Sequence, residues 1–216
     1  MVSLLVRTFR SGYKVNRAGD DAAGLTISEK MRSQIRGLNK ASENAQNGVS
    51  LVQTAEGALN EAHAILQRMN EIATQAANDT NTTADRGAIK KELTQLSTEL
   101  TRISSTTQFN TMNLLDGKFT SKNLQVGALA GQKITISIKT MSATALGVQD
   151  ANLKVSTFAL AGSTMTKIQK AISQVSAQRS DLGAVQNRLE YTINNLNTTS
   201  ENMLLQDRRL LSASKQ

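Results

Sequence analysis

Proline, cysteine and tryptophan are absent from all 216 residues, and aromatic side chains make up only 3% of them. Without proline, nothing in the chain forces a helix to kink or stop. Without cysteine, disulfides, thiolate metal sites and cysteine nucleophiles are excluded together, while the redox compartment stays open. A chain so poor in rings must build its core from Leu, Ile, Val, Ala and Met, which suits thin helical layers better than a thick globule. Long apolar runs are missing too. The best stretch, Met1 to Phe9, is too short to span a bilayer, already contains Arg7 and is followed by Arg10. It also lacks the apolar centre and small-residue cleavage site of a secretory leader, so export would need a route that does not use the standard signal.

Positive charge is in excess, with a formal net charge of +8. Arg7, Arg10, Lys14, Arg17, Lys30, Arg32, Arg36 and Lys40 crowd the first forty residues, and Arg208, Arg209 and Lys215 the other end. Counterion release would draw such cations to a nucleic acid. No aromatic residues interleave them to stack bases, so the sequence predicts a solvated basic end and no nucleic-acid partner.

What the chain does have is an apolar seam at coiled-coil spacing. Ile89, Leu93, Leu96, Leu100 and Ile103 advance by alternating steps of four and three residues, placing all five on one helical stripe. A smaller-toothed stripe lies upstream at Ala45, Val49, Val52, Leu59, Ala62, Leu66, Met69, Ala73 and Ala76. A third, Ile168, Ile172, Val175, Leu182, Leu189, Ile193, Leu196 and Met203, lies near the C-terminus, with Arg179 and Gln186 at seam positions as register-fixing polar residues. Each stripe needs a partner, so helices from opposite ends of the chain should pack on one another. The predicted helices cover about 20–77, 84–105 and 164–203, with Asp20 or Asp21 and then Asp85 as caps. Between the first two, Asn78 to Thr83 (NDTNTT) reads as a polar turn. Gly37 and Gly48 interrupt the first helix only in composition, because the seam resumes on schedule at Ala45.

The period changes in the middle. Leu124, Val126 and Ala128, then Ile134, Ile136 and Ile138, alternate with polar neighbours around a short glycine-containing connection, which predicts a β-hairpin over about 123–139. Residues 140 to 162 carry no sustained period, with Leu146, Val148, Leu153 and Val155 available for minor packing or a short strand. The fold class is therefore mainly α: an elongated antiparallel helical bundle or coiled-coil rod with a small β-hairpin.

Catalytic constellations are weak in this pattern, and a non-enzyme is expected. His63 has Glu61 nearby but no second histidine at metal-ligand spacing, and reads as an exposed helical histidine. Glu56, Glu61 and Glu71 would need a shaped pocket to separate their pKa values. Serines and threonines have no base to activate them, and no glycine-rich loop matches a nucleotide cradle. No cofactor or metal is expected.

Longer blocks carry a resemblance. SGYKVNRAGDDAAGL (Ser11 to Leu25) and the residues that follow to Thr80 closely resemble the N-terminal conserved region of bacterial flagellins, and RSDLGAVQNRLEYTINNL (Arg179 to Leu196) resembles their conserved C-terminal region. FNTMNLLDG (Phe109 to Gly117) and LQVGALAGQKITISI (Leu124 to Ile138) are similar to the segment joining the rod helices to the hairpin. The resemblance implies a structural subunit of the flagellar filament, giving motility by self-assembly. It implies export through the flagellar channel to an extracellular flagellum, with other flagellin subunits, an export chaperone and the cap as partners. It also implies a rod domain over 11–203 with only the short variable stretch 140–162 between its halves. Residues 1–10 (MVSLLVRTFR) and 204–216 depart from the family's terminal helices, and +8 departs from its acidic or neutral charge. Those departures fit a truncated, decayed or engineered flagellin impaired in export and assembly as well as they fit a working filament subunit. The alternative function is a monomeric immune-recognition ligand of Toll-like receptor 5, or an adhesion ligand. Arg68 and Ile72 in QRMNEIATQ and Glu99 in STELTRIS match the positions that the receptor contacts in recognised flagellins, which would make them a hot spot with a charged rim.

Overall fold

A computed structural model of the chain describes residues 22–212, with side chains from residue 26 to residue 210. The expected cap at Asp20 or Asp21, residues 1 to 10, the opening of the block at Ser11 and residues 213–216 lie outside the described residues.

Three long helices dominate: α1 (Ala22–Ala76), α2 (Thr83–Thr106) and α3 (Phe158–Ser212). α1 runs through Gly37 and Gly48 unbroken, as a proline-free sequence allows. It ends where the Asn81 side-chain amide turns back to the Gln75 carbonyl (2.6 Å) and the Asn78 carbonyl (2.9 Å), adding to the backbone bonds that close the turn after the helix. α2 opens on a capping box. The Thr82 hydroxyl accepts from the Asp85 amide (3.2 Å), and the Asp85 carboxylate accepts from the Thr82 amide (2.9 Å). α3 begins earlier than residue 164 and ends later than 203. Its opening turn is held by Thr157, whose hydroxyl and carbonyl accept from the amides of Leu160 and Ala161. Spacing missed this turn because its buried positions are Ala161 and Thr164, neither of which reads as a seam residue.

Short strands fill the middle. β1 (Gln108–Phe109) and β2 (Met112–Asn113) pair antiparallel, Gln108 with Asn113 and Phe109 with Met112, a two-residue pairing too short to show as an alternation. β3 (Lys122–Gln125) and β4 (Lys133–Ile136) form the expected hairpin, closed by the Val126 amide on the Gln132 carbonyl (2.9 Å). The segment after it is packed and not merely connective: Met141, Leu146, Val148, Leu153 and Val155 are all buried, around a single 3-10 turn at Asp150–Asn152.

The chain divides into two compact units. The first takes residues up to Asn47, Leu124–Ile134 and Arg188 onward. Its core is Leu38, Ala41 and Leu196, with Ala128 and Met203 packed against it. Side chains fasten α1 to α3: Ser42 to Asn197 (2.9 Å), Ser200 to Asn39 (2.7 Å), and the buried Asp207 carboxylate accepting from Ser28 (2.5 Å) and Arg32 (3.2 Å). The hairpin connection lies on α1 where Gly37 lets it approach; a Cβ there would come within 3.0 Å of the Ala128 Cβ.

The second unit takes Gly48–Asn123 and Thr135–Asn187. Its fully buried side chains include Leu59, Leu66 and Met69 from α1, Leu93 and Leu100 from α2, Ile168 from α3, and Leu114, Leu115, Ile136, Ile138 and Leu153 from the connecting chain. The α2 seam differs from its sequence pattern in an instructive way. Ile89, Leu93 and Leu100 are buried, but Leu96 and Ile103 are only half-buried, and Ser97 and Ser104 are buried in their stead. Their hydroxyls donate to the Val148 carbonyl (2.9 Å) and the Leu115 carbonyl (2.7 Å). Irregular chain covers that side of α2, and its backbone acceptors need donors. The polar seam residue on α3 is likewise Gln178 and not Arg179: its amide accepts from the Lys139 amide (3.2 Å) and donates to the Ser137 carbonyl (3.4 Å).

Candidate interaction surface

The three residues singled out for receptor contact occupy different environments. Arg68 lies on the outward side of α1 with its side chain 53% exposed. Its guanidinium reaches across to Glu92 of α2 (2.9 Å) and along its own helix to Glu71 (3.3 Å). Hydrogen bonding to Glu92 first, and then to Glu71, raises the pKa of Arg68 above the ordinary arginine value. Glu99, with its side chain 43% exposed, accepts from Nε and Nη2 of Arg102 at 2.8 and 2.5 Å, and that contact holds its carboxyl below the usual range. Ile72 is only 2% exposed. One turn beyond Arg68, it points into the packed side of α1, so in this conformation it supports the surface from beneath. What α1 and α2 display together is a set of paired charges, Arg68 with Glu71 and Glu92, then Glu99 with Arg102. Such exposed pairs orient side chains more than they stabilise the fold, because water and salt screen them.

His63 is half-buried and not the exposed residue its isolation predicted. Its Nε2 lies 3.0 Å from the Gln67 amide nitrogen, while its Nδ1 is buried without a hydrogen-bond partner. Among the described residues no three of His, Asp and Glu converge as a metal site would require. None of the described helices is long and apolar enough to cross a membrane.

Several polar residues that matter to the architecture were not visible in the seams. Arg86, on the first turns of α2, is buried and donates to the carbonyls of Val155 (3.3 Å) and Asn78 (3.2 Å) and to the Asp79 carboxylate (3.2 Å). Lys90, one turn on, binds the carboxylate (2.7 Å) and carbonyl (2.6 Å) of Asp150, which also accepts from Thr94 (2.5 Å). Hydrogen bonds from Lys90 and then Thr94 lower the Asp150 pKa. These contacts lock the connecting chain onto α2. Asp207 alone carried a usable signal, since steps of four, three and four from Leu196 through Ser200 and Met203 arrive at it.

Comparisons with known proteins agree with this architecture. Residues 5–120 match the family model of the bacterial flagellin N-terminal helical region, and residues 165–211 match that of the C-terminal helical region, so the matched regions reach beyond residues 11 and 203. The chain is 50% identical to a flagellin of Halalkalibacterium halodurans over 93% of its length and 74% of the relative's. It is 47% identical to a flagellin of Bacillus subtilis, over 93% and 76%, and 43% identical to flagellin FlaB1 of Treponema pallidum, over 96% and 78%. Among solved structures, Bacillus cereus flagellin superposes with a TM-score of 0.62 at 31% identity, covering 71% of this chain and 88% of that one. FliC from Burkholderia pseudomallei, at 20% identity and a TM-score of 0.57, covers 65% of this chain and 99% of its own and shares the fold.

Proposed function

The chain belongs to the bacterial flagellin family, and on that premise we propose that it serves as a structural subunit of an extracellular flagellar filament and gives motility by self-assembly. One observation carries this reading: the matched N- and C-terminal regions take in the long helices, which side-chain hydrogen bonds such as Ser42 to Asn197 and Ser28 to Asp207 fasten to one another. The work of such a subunit is mechanical. Its helices must resist shear while their outer faces meet other subunits through contacts that repeat without closing into a ring. Buried polar ties such as Ser97, Ser104, Gln178 and Asp207 suit that task, because each fixes one register where a purely apolar seam would tolerate sliding. Passage through the flagellar export channel, with a chaperone before export and the cap at the growing tip, completes the same reading. Expression in a bacterium deleted for its own flagellin tests it: cell-attached filaments are expected, and secreted chain without filaments would count against it.

A second reading has its own support. Arg68 and Glu99 are exposed and pre-oriented by ion pairs, as a receptor hot spot with a charged rim requires, which favours a monomeric ligand of Toll-like receptor 5. Arg68→Ala should weaken receptor binding about tenfold or more and leave the melting temperature nearly unchanged. Equal affinity would remove Arg68 from the contact.

A further inference from the structure

We propose that a groove between the first turns of α2 and residues 150 to 156 is a socket for α3 of a second copy, receiving the face that carries Glu201, Leu204 and Leu205; the inference rests on the filament reading above. The groove has a volume of about 450 Å³. Leu153 and Val155, both buried, lie among its lining residues, as do Arg86, Gly87 and Lys90 of α2, Asp150 and Lys154. Glycine inside a helix is less stable than alanine, yet a Cβ on Gly87 would meet nothing within 4 Å, so no neighbouring atom demands it. Its effect is to leave the wall bare beside Leu153 and Val155.

Charge selects the occupant. Arg86 is taken up by the Val155 and Asn78 carbonyls and Asp79, and Lys90 by Asp150. The exposed Lys154 ammonium has no partner among the described residues. The complement is an apolar ridge bearing one unpaired carboxylate. α3 supplies it, since Leu204 and Leu205 are 39% and 46% exposed and Glu201, exposed and without a partner among the described residues, precedes them by three and four positions on the same helical face, while the exposed Arg208 and Arg209 follow on the far side of the leucines, two turns from Glu201. Tyr191, more exposed than either leucine, does not qualify, because none of its neighbours at that spacing, Asn187, Arg188, Asn194 and Asn195, is a carboxylate. Socket and ridge are different surfaces, so the contact is heterologous and propagates from copy to copy.

Zero-length carbodiimide cross-linking of an equal mixture of isotope-labelled and unlabelled chain, with filament growth followed in parallel, tests the assignment. A mixed-isotope peptide joining Lys154 to Glu201 is expected. Gly87→Leu, which fills the groove, should abolish that peptide with the melting temperature unchanged. Should that variant fold poorly, Lys154→Glu should lose the contact's effect on growth and Lys154→Glu combined with Glu201→Lys should restore it. Filaments without the mixed-isotope link overturn the socket and leave the filament reading standing, whereas the link without filaments supports the socket and overturns that reading. A link from Lys154 to another carboxylate, one confined to single-isotope pairs, or one that survives in a folded Gly87→Leu chain also overturns it. Neither link nor filaments overturns both.

Discussion

Replacing Arg86 with Ala removes the side chain that joins three pieces of chain at the start of α2. Its guanidinium is 9% exposed and serves the Val155 and Asn78 carbonyls, while its carboxylate partner Asp79 is 83% exposed. The ion pair with so exposed a carboxylate is heavily screened and contributes little. The two carbonyls decide the cost, since hydrogen bonds from a charged donor contribute about 1.5–3 kcal/mol each and a buried acceptor left unpaired is penalised in addition. Because the Asn78 carbonyl keeps its bonds from the Asn81 backbone and side-chain amides, only the Val155 carbonyl is left unpaired, and a total of about 2–4 kcal/mol is expected. Urea unfolding followed by helical circular dichroism should report that loss as a lower midpoint with an unchanged slope. For a chain of this size each kcal/mol corresponds to about 2–4 °C of melting temperature. Arg86→Lys separates charge from geometry, because an ammonium cannot span both carbonyls as a planar fork does, so it should fall between wild type and Arg86→Ala. An Arg86→Ala midpoint indistinguishable from wild type, or an Arg86→Lys midpoint equal to it, would refute the reasoning.

The α2 seam offers a paired test: Leu93→Asp buries an unpaired charge at a fully buried position and should cost about 3–5 kcal/mol, whereas Leu96→Asp, at a half-buried one, should cost clearly less by the same denaturation assay. Thr111, a β-branched residue at φ 63 in the β1–β2 turn, should become more stable by about 1 kcal/mol as Gly, measured as a raised melting temperature. Acid should loosen the second unit through Asp150: its folded pKa lies below the unfolded value, so its contribution is full above the ordinary carboxylate range and is lost as pH falls through the lowered value. Asp150→Asn should therefore flatten the acid limb of the melting-temperature profile, and a superimposable limb would contradict the assignment.

Much of the architecture was legible because it rests on helix periodicity. Leu59, Leu66, Met69, Leu93, Leu100, Ile168, Val175, Leu182 and Leu189 all fall on the predicted stripes and are all buried. Legibility failed where the partner was not another helix. Ser97 and Ser104 displace Leu96 and Ile103 from the buried line because what lies over them is backbone with unpaired carbonyls, and a hydropathy pattern has no sign for a hydroxyl that will meet one. Gln178 was missed for the same reason, one residue from the Arg179 chosen on spacing. At the candidate surface, resemblance supplied the positions of Arg68, Ile72 and Glu99 alike, and the burial of Ile72 separates it from the other two as a core residue. A seam of small residues such as Ala62, Ala73 and Ala76 blurs the edge between buried and exposed faces, and only the packed structure draws it.

The central claim is that this chain is a filament subunit, and seeded growth tests it most directly. Purified chain added to short flagellar filament fragments, and followed by electron microscopy, should lengthen the fragments from one end in proportion to the chain supplied. Fragments of unchanged length, with the chain remaining monomeric in the supernatant at every concentration and salt tried, would contradict the account.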